Sequence, residues 1–192
     1  MFDPKLCQSL DDHQLVRLSL DDSNYYYCLM SRYEKQLAAY VHHLTFLSQS
    51  DIDDIIQNSF VKAYQNLNDF DFDFKFSSWI YRIVHNQSVN FLKKSKKTQT
   101  LNIDDDYSEI TNWLVSDTDI EKQTQDSQFQ DYIRLILAQL KPEYQQVLVL
   151  KFLQDKDYKE ISHILQKPMG TVATLINRAK KQFKTIYDQN QY

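Results

Sequence analysis

The chain has one glycine, Gly170, and three prolines in 192 residues. So few turn-formers leave little to connect the strands of a sheet-rich fold, and the expectation is a protein built mostly of helices. Long hydrophobic runs are missing too. The stretch VLVL at 147–150 stops at Lys151, and nothing approaches the roughly 20 apolar residues that span a bilayer. The N-terminal MFDPKLCQSLDD lacks the basic-then-apolar order of a secretory signal. No membrane insertion and a cytoplasmic location are expected. Cysteine is scarce: Cys7 and Cys28 have no metal-ligand spacing, and in a reducing compartment they are expected as free thiols. No metal or other cofactor is expected.

What is present is apolar and aromatic, at 42% and 14% of residues, too much for a disordered chain and enough for one large or two small cores. The net charge of −4 argues against a protein that coats nucleic acid indiscriminately. That mean conceals a division. Residues 99–131 hold one lysine against nine acids, whereas residues 141–192 hold nine basic residues against five acidic ones. The acidic stretch has no sustained helical or strand period and reads as a solvated linker. It divides the chain into a module at 1–98 and a second at 132–192.

In the first module, Ile52, Ile55, Ile56, Phe60, Ala63, Tyr64 and Leu67 recur at steps of three and four, the stripe of an amphipathic helix. Ser50 is the expected cap, with Asp51, Asp53 and Asp54 near the positive end of the helix dipole. Asp54, Gln57, Asn58 and Lys62 share the opposite face, which by itself fits either solvent or a partner. A second helix follows in SSWIYRIVHNQSVNFLKKSKK. Ile80, Ile83, Val84 and Phe91 form its buried stripe and direct Arg82, His85, Asn86, Asn90 and Lys93 outward. Its end carries Lys93, Lys94, Lys96 and Lys97, suited to the helix dipole or to phosphate. Asn86 and Asn90 lie one turn apart, and an asparagine amide both donates to and accepts from base edges. Between the helices DFDFDFKF at 69–76 alternates like a strand, but with no second strand to pair with it reads as an extended loop. Its phenylalanines fit either the core or a stacking face for an unstacked base. Asp71 and Asp73 could accept from an exocyclic amine.

In the second module, Asp157 and Glu160 have capping-box spacing at the start of YKEISHILQ, and Pro168 forces a turn. Val172, Ile176, Ala179 and Phe183 line one face of the next helix, while Thr174, Asn177, Arg178 and Lys181 lie on or near the other. Two helices joined tightly, the second with a polar basic exterior, make a helix-turn-helix whose second helix enters the major groove. Gly170 falls in the first turn of that helix, where free backbone N–H groups attract phosphate and a missing Cβ permits close approach. A glycine that only eases the turn remains the other reading.

DIDDIIQNSFVKAYQNLNDF, FSSWIYRIVHN and YKEISHILQKPMGTV, in that order, resemble the region 2 and region 4 signatures of bacterial sigma factors. The two-domain form is similar to the extracytoplasmic-function (ECF) group. The resemblance implies an all-α protein: a region 2 helical bundle and a region 4 helix-turn-helix joined by the acidic linker. It implies a non-enzymatic subunit that binds core RNA polymerase, reads promoter DNA and is held by an anti-sigma factor. Asp54, Gln57 and Asn58 then match the face that binds the beta-prime clamp helices. Trp79 and Arg82 match the melting helix. Asn86 and Asn90 match minus-ten contacts, with Asp71 and Asp73 in the pocket loop and Lys93 and Lys94 on phosphate. Gly170, Thr171, Ala173, Thr174, Asn177, Arg178 and Lys181 match the minus-thirty-five surface, and region 4 the beta flap. The linker is similar to segments that thread toward the RNA path. Asp155 and Gln166 stand where the family usually has glycine, and Ala173 and Leu175 where it often has a cation. A helix-turn-helix regulator that binds an operator without polymerase, and a helical adaptor that never touches DNA, are the rival classes.

Overall fold

The computed structural model describes residues 6–99 and 125–189. Among the described residues there is no strand, and nine α-helices account for both modules. In chain order they are α1 Leu6–Ser9, α2 Asp12–Asp21, α3 Tyr26–Leu44, α4 Gln49–Gln65, α5 Phe76–Gln99, α6 Gln125–Ala138, α7 Pro142–Leu148, α8 Tyr158–Leu165 and α9 Met169–Gln189. The expected linker at 99–131 lies mostly outside the described residues, and α6 already begins at Gln125.

The first module packs α2–α5 around Leu15, Val16, Leu29, Leu37, Ile52 and Ile80, each no more than 1% exposed. The predicted stripe of α4 is buried at Ile52, Ile55, Ile56, Phe60, Ala63 and Leu67, whereas Tyr64 stays 43% exposed at its edge. Ser48, not Ser50, caps α4: its backbone is extended and its Oγ accepts the Asp51 N–H at 3.2 Å. That helix starts earlier than the apolar period suggests, because Ser48 and Asp51 already have cap-to-third-residue spacing.

Packing against α3 corrects two further sequence expectations in this module. His85 does not face water. It is 8% exposed, and its Nδ1 lies 2.9 Å from the Tyr40 hydroxyl, which is wholly buried. Burial lowers its pKa to about 4, so the ring is neutral in the fold. Cys7 and Cys28 are not free thiols. They form a disulfide that ties α1 to α3, because the packing of α1 and α2 on α3 brings their Cα atoms to 4.9 Å.

A pH prediction follows from His85. The folded pKa lies below the unfolded value of 6.5, so the unfolded chain takes up the proton first as pH falls. Stability is therefore full above about pH 6.5 and declines toward about pH 4. His42, His43 and His163, also lowered by burial, act in the same direction. Between pH 7 and 4.5 the wild type should lose roughly 2 kcal/mol more stability than His85→Gln, by the usual ~1.4 kcal/mol per unit. Equal losses in urea titrations would contradict the assignment.

The second module is a helix-turn-helix on a two-helix platform. Pro142 opens α7, where its missing N–H costs nothing. The helix continues as a π-helical turn, Val149–Leu153, that buries Val149 and Leu150 completely. Asp155 ends it in the left-handed conformation (φ 48°), with the Lys156 N–H returning to the Leu150 carbonyl at 2.9 Å.

The modules dock on one another. Helix α8 lies against α5, and the π turn against α3. The Tyr81 hydroxyl donates to Gln154 Oε1 at 2.7 Å, and the buried Lys156 ammonium sits 4.2 Å from the centre of the Tyr81 ring. Lys75 pairs with Glu160 at 3.2 Å. Phe74 stacks on His163 with centroids 4.2 Å apart. Beyond these, Arg134 donates to the Thr45 carbonyl at 3.0 Å and covers the Phe46 ring.

Candidate nucleic-acid interface

Helix α8 opens on the predicted capping box. Asp157 Oδ1 accepts the Glu160 N–H at 2.8 Å, and Glu160 accepts the Asp157 N–H at 3.0 Å. It closes at Gln166, left-handed at φ 53°, where Ser162 Oγ donates to the Lys167 carbonyl at 2.6 Å and the Lys167 N–H returns to the Ser162 carbonyl. Both left-handed turns thus use side-chain-bearing residues, while Gly170 has an ordinary helical backbone. A Cβ built on Gly170 meets nothing within 4 Å. Neither the turn nor internal packing requires glycine there.

Ile161 and Ile164 of α8 pack with Val172, Leu175, Ile176 and Ala179 of α9. Leu175 is 7% exposed, so it belongs to this seam. Gly170, Thr171, Thr174, Asn177, Arg178 and Lys181 are all exposed on α9, and Ala173 is half-buried. The Thr174 hydroxyl donates to the Gly170 carbonyl at 2.9 Å, leaving its oxygen free to accept. All seven positions lie along the start and outer side of one helix, with Ala173 at its edge.

In the first module Asp54, Gln57 and Asn58 are exposed on α4 beside Val61, itself 56% exposed. On α5, Asn86, Asn90, Lys93 and Lys94 are exposed and Arg82 is half-buried. Asn58 and Asn90 line one shallow groove between α4 and α5, floored by Ile55, Val61 and Phe91. Trp79 departs from expectation: at 6% exposure it packs against Phe70 and Phe76, with centroids 5.5 and 5.6 Å away. It backs the loop from within and presents no open face to a base.

The loop at 70–75 is not extended. The Phe74 N–H donates to the Asp71 carbonyl at 3.1 Å, and the Asp73 N–H to Asp71 Oδ1 at 2.9 Å, so Asp71 builds a tight turn with its own side chain. Asp73 is left exposed at the tip, between half-buried Phe72 and Phe74. Phe70 and Phe76 anchor the turn in the core.

One polar surface thus stands on each helical module, and each module matches a known family. Residues 29–98 match Sigma-70 region 2, and residues 130–183 match Sigma-70, region 4. The chain is 30% identical over 138 residues to the ECF RNA polymerase sigma factor SigW of Bacillus subtilis, covering 70% of this chain and 74% of that one. The chain belongs to the ECF group of RNA polymerase sigma factors. It is also 26% identical over 184 residues to the ECF RNA polymerase sigma-E factor of Haemophilus influenzae, covering 93% and 96% of the two chains. Its fold is shared with the sigma factor RpoE of Bartonella quintana, solved with the anti-sigma factor NepR, at a TM-score of 0.62 and 15% identity over 83% of this chain and 94% of that. As an alternative sigma factor it directs promoter recognition and transcription initiation. No described helix of this sigma factor is long and apolar enough to cross a membrane.

The residues that sequence reasoning missed lie behind the loop. His13 and Arg17 of α2 reach it from 61 and 55 positions away, and no local pattern in SLDDHQLVRLSL marks them.

Proposed function

We propose that the exposed α4 face of Asp54, Gln57 and Asn58 docks on the beta-prime clamp helices of core polymerase. The loop at 70–75 with Arg82, Asn86, Asn90, Lys93 and Lys94 reads and holds the non-template minus-ten strand. Helix α9 reads the minus-thirty-five element through Thr171, Thr174, Asn177, Arg178 and Lys181, with Gly170 and Ala173 leaving room for the duplex backbone. The observation that carries this reading is the pairing of two polar faces, one on each helical module, each standing on the side of its helix away from the buried apolar seam. One face reads a strand and the other a duplex, which a single-site operator binder does not need.

Region 4 also meets the beta flap, the protein acts as a non-enzymatic subunit in the cytoplasm where polymerase works, and an anti-sigma factor holds it in reserve. The shared fold with a sigma factor solved with an anti-sigma factor supports that last partner.

Run-off transcription tests the reading. Core polymerase with this protein should initiate at a discrete start site on a promoter selected from a randomised library, and core alone should not. Specific duplex binding without polymerase, combined with no start-site selection, would favour the operator-binding regulator.

A further inference from the structure

The loop at 70–75 is held from the side by a helix that precedes the matched region 2 segment at 29–98. Helix α2 is itself firmly mounted. Asp11 and Gln14 form a capping box at its start, and Leu15 and Val16 are fully buried. Asp12 accepts from Arg32 and from the Tyr33 hydroxyl on α3, and Arg32 also donates to the Cys7 and Leu10 carbonyls at 2.7 and 2.9 Å. The Cys7–Cys28 disulfide closes the same corner.

From this mount two residues one turn apart face the loop. His13 Nε2 lies 3.0 Å from the Phe74 carbonyl. A carbonyl only accepts, so Nε2 carries the proton and donates. The His13 ring packs on Phe70 and Phe72, with centroids 5.7 and 5.5 Å away. The Arg17 guanidinium lies over the Phe72 ring at 4.9 Å, within cation–π range. The two anchor points, Phe72 and Phe74, flank Asp73 on either side. Fixing both fixes where the Asp73 carboxylate stands, and a base-reading acceptor works only if held within a fraction of an ångström.

We propose that His13 and Arg17 are positioning residues for the minus-ten loop: by clamping Phe72 and Phe74 they set the place of Asp73 and so the base it prefers. The inference rests on the reading of this loop as a base pocket. Neither residue touches DNA in this scheme. Their effect is transmitted through the turn.

The test uses the full-length protein and two readouts. Hydrogen exchange at the Asp73 and Phe74 amides reports the turn itself, since both bond to Asp71 and neither to His13. Selection on randomised promoters with core polymerase reports base preference. His13→Ala should speed exchange at these amides at least tenfold and relax preference at one minus-ten position, with core affinity and minus-thirty-five preference unchanged. His13→Gln, whose amide can donate to the same carbonyl, should restore both, and Arg17→Ala should reproduce part of the loss. Unchanged exchange in His13→Ala overturns the clamp. Faster exchange with unchanged preference, while Asp73→Asn does alter preference, overturns the link from clamp to specificity. If Asp73→Asn also leaves preference unchanged, the base-pocket reading falls and the specificity role with it, leaving His13 as an anchor alone.

Discussion

Replacing Asp54 and Gln57 together by alanine is expected to cut affinity for core polymerase at least tenfold, or about 1.4 kcal/mol. Both side chains are exposed on α4 while Ile52, Ile55, Ile56 and Ser59 carry the packing on the other side. The substitution removes polar recognition without opening a cavity. Alanine also has the higher helix propensity, so circular dichroism should show no loss of helix. Val61, exposed one turn on from Gln57, gives the same face an apolar contact that the double variant retains. A partner docked here loses two of its three polar contacts and keeps Asn58 and Val61, hence a large weakening short of abolition. Unaltered binding in a titration against core would remove α4 from the polymerase interface. A fall in helicity would instead trace the loss to the fold.

Much of this architecture is legible in the sequence because it rests on local periodicity. The apolar steps of α4, the capping box at Asp157 and Glu160, and the seam of Val172, Ile176 and Ala179 each lie within one or two helical turns, where spacing alone fixes the face. The exposed positions of α9 follow from the same wheel. Tyr64 marks the limit of this reasoning: it falls at the edge of its stripe, and its ring meets Tyr26 instead of entering the core.

What the sequence does not disclose depends on residues far apart along the chain. His85 looks like an outward position of α5, and only the arrival of Tyr40 from α3 makes it a buried, neutral ring. Cys7 and Cys28 pair because α1 folds back on α3, a packing result that neither spacing nor compartment indicates. Trp79 lies one position before the buried Ile80, yet its side chain closes over Phe70 and Phe76 because the loop turns back on itself. The alternation of DFDFDFKF suggests an extended segment. Asp71 uses its carboxylate on the Asp73 amide, however, and a local side-chain bond of that kind outcompetes extension. Docking between the modules joins residues such as Phe74 and His163, or Tyr81 and Lys156, that have no sequence relation at all.

Gly170 carries the other large expectation. Its backbone is helical and an added side chain would meet open space, so Gly170→Val should fold as well as the wild type. Valine is also the better helix former of the two. Any loss of function therefore reports what approaches α9 from outside. The exposed start of α9 holds unpaired N–H groups that favour phosphate, and a valine side chain would hold the duplex backbone off them. Binding to the minus-thirty-five element is expected to weaken at least tenfold, about 1.4 kcal/mol, with Gly170→Ala between the two. Arg178, exposed two turns further on, separates charge from shape. If it meets phosphate, Arg178→Ala should lower affinity similarly on all sequences and reduce the salt dependence by about one released ion. If it meets a base edge, the loss should fall at one position of the element. Measured on polymerase holoenzyme, equal affinities for wild type and Gly170→Val would show that the duplex does not come close to this helix start. The recognition surface would then lie further along α9, toward Asn177, Arg178 and Lys181.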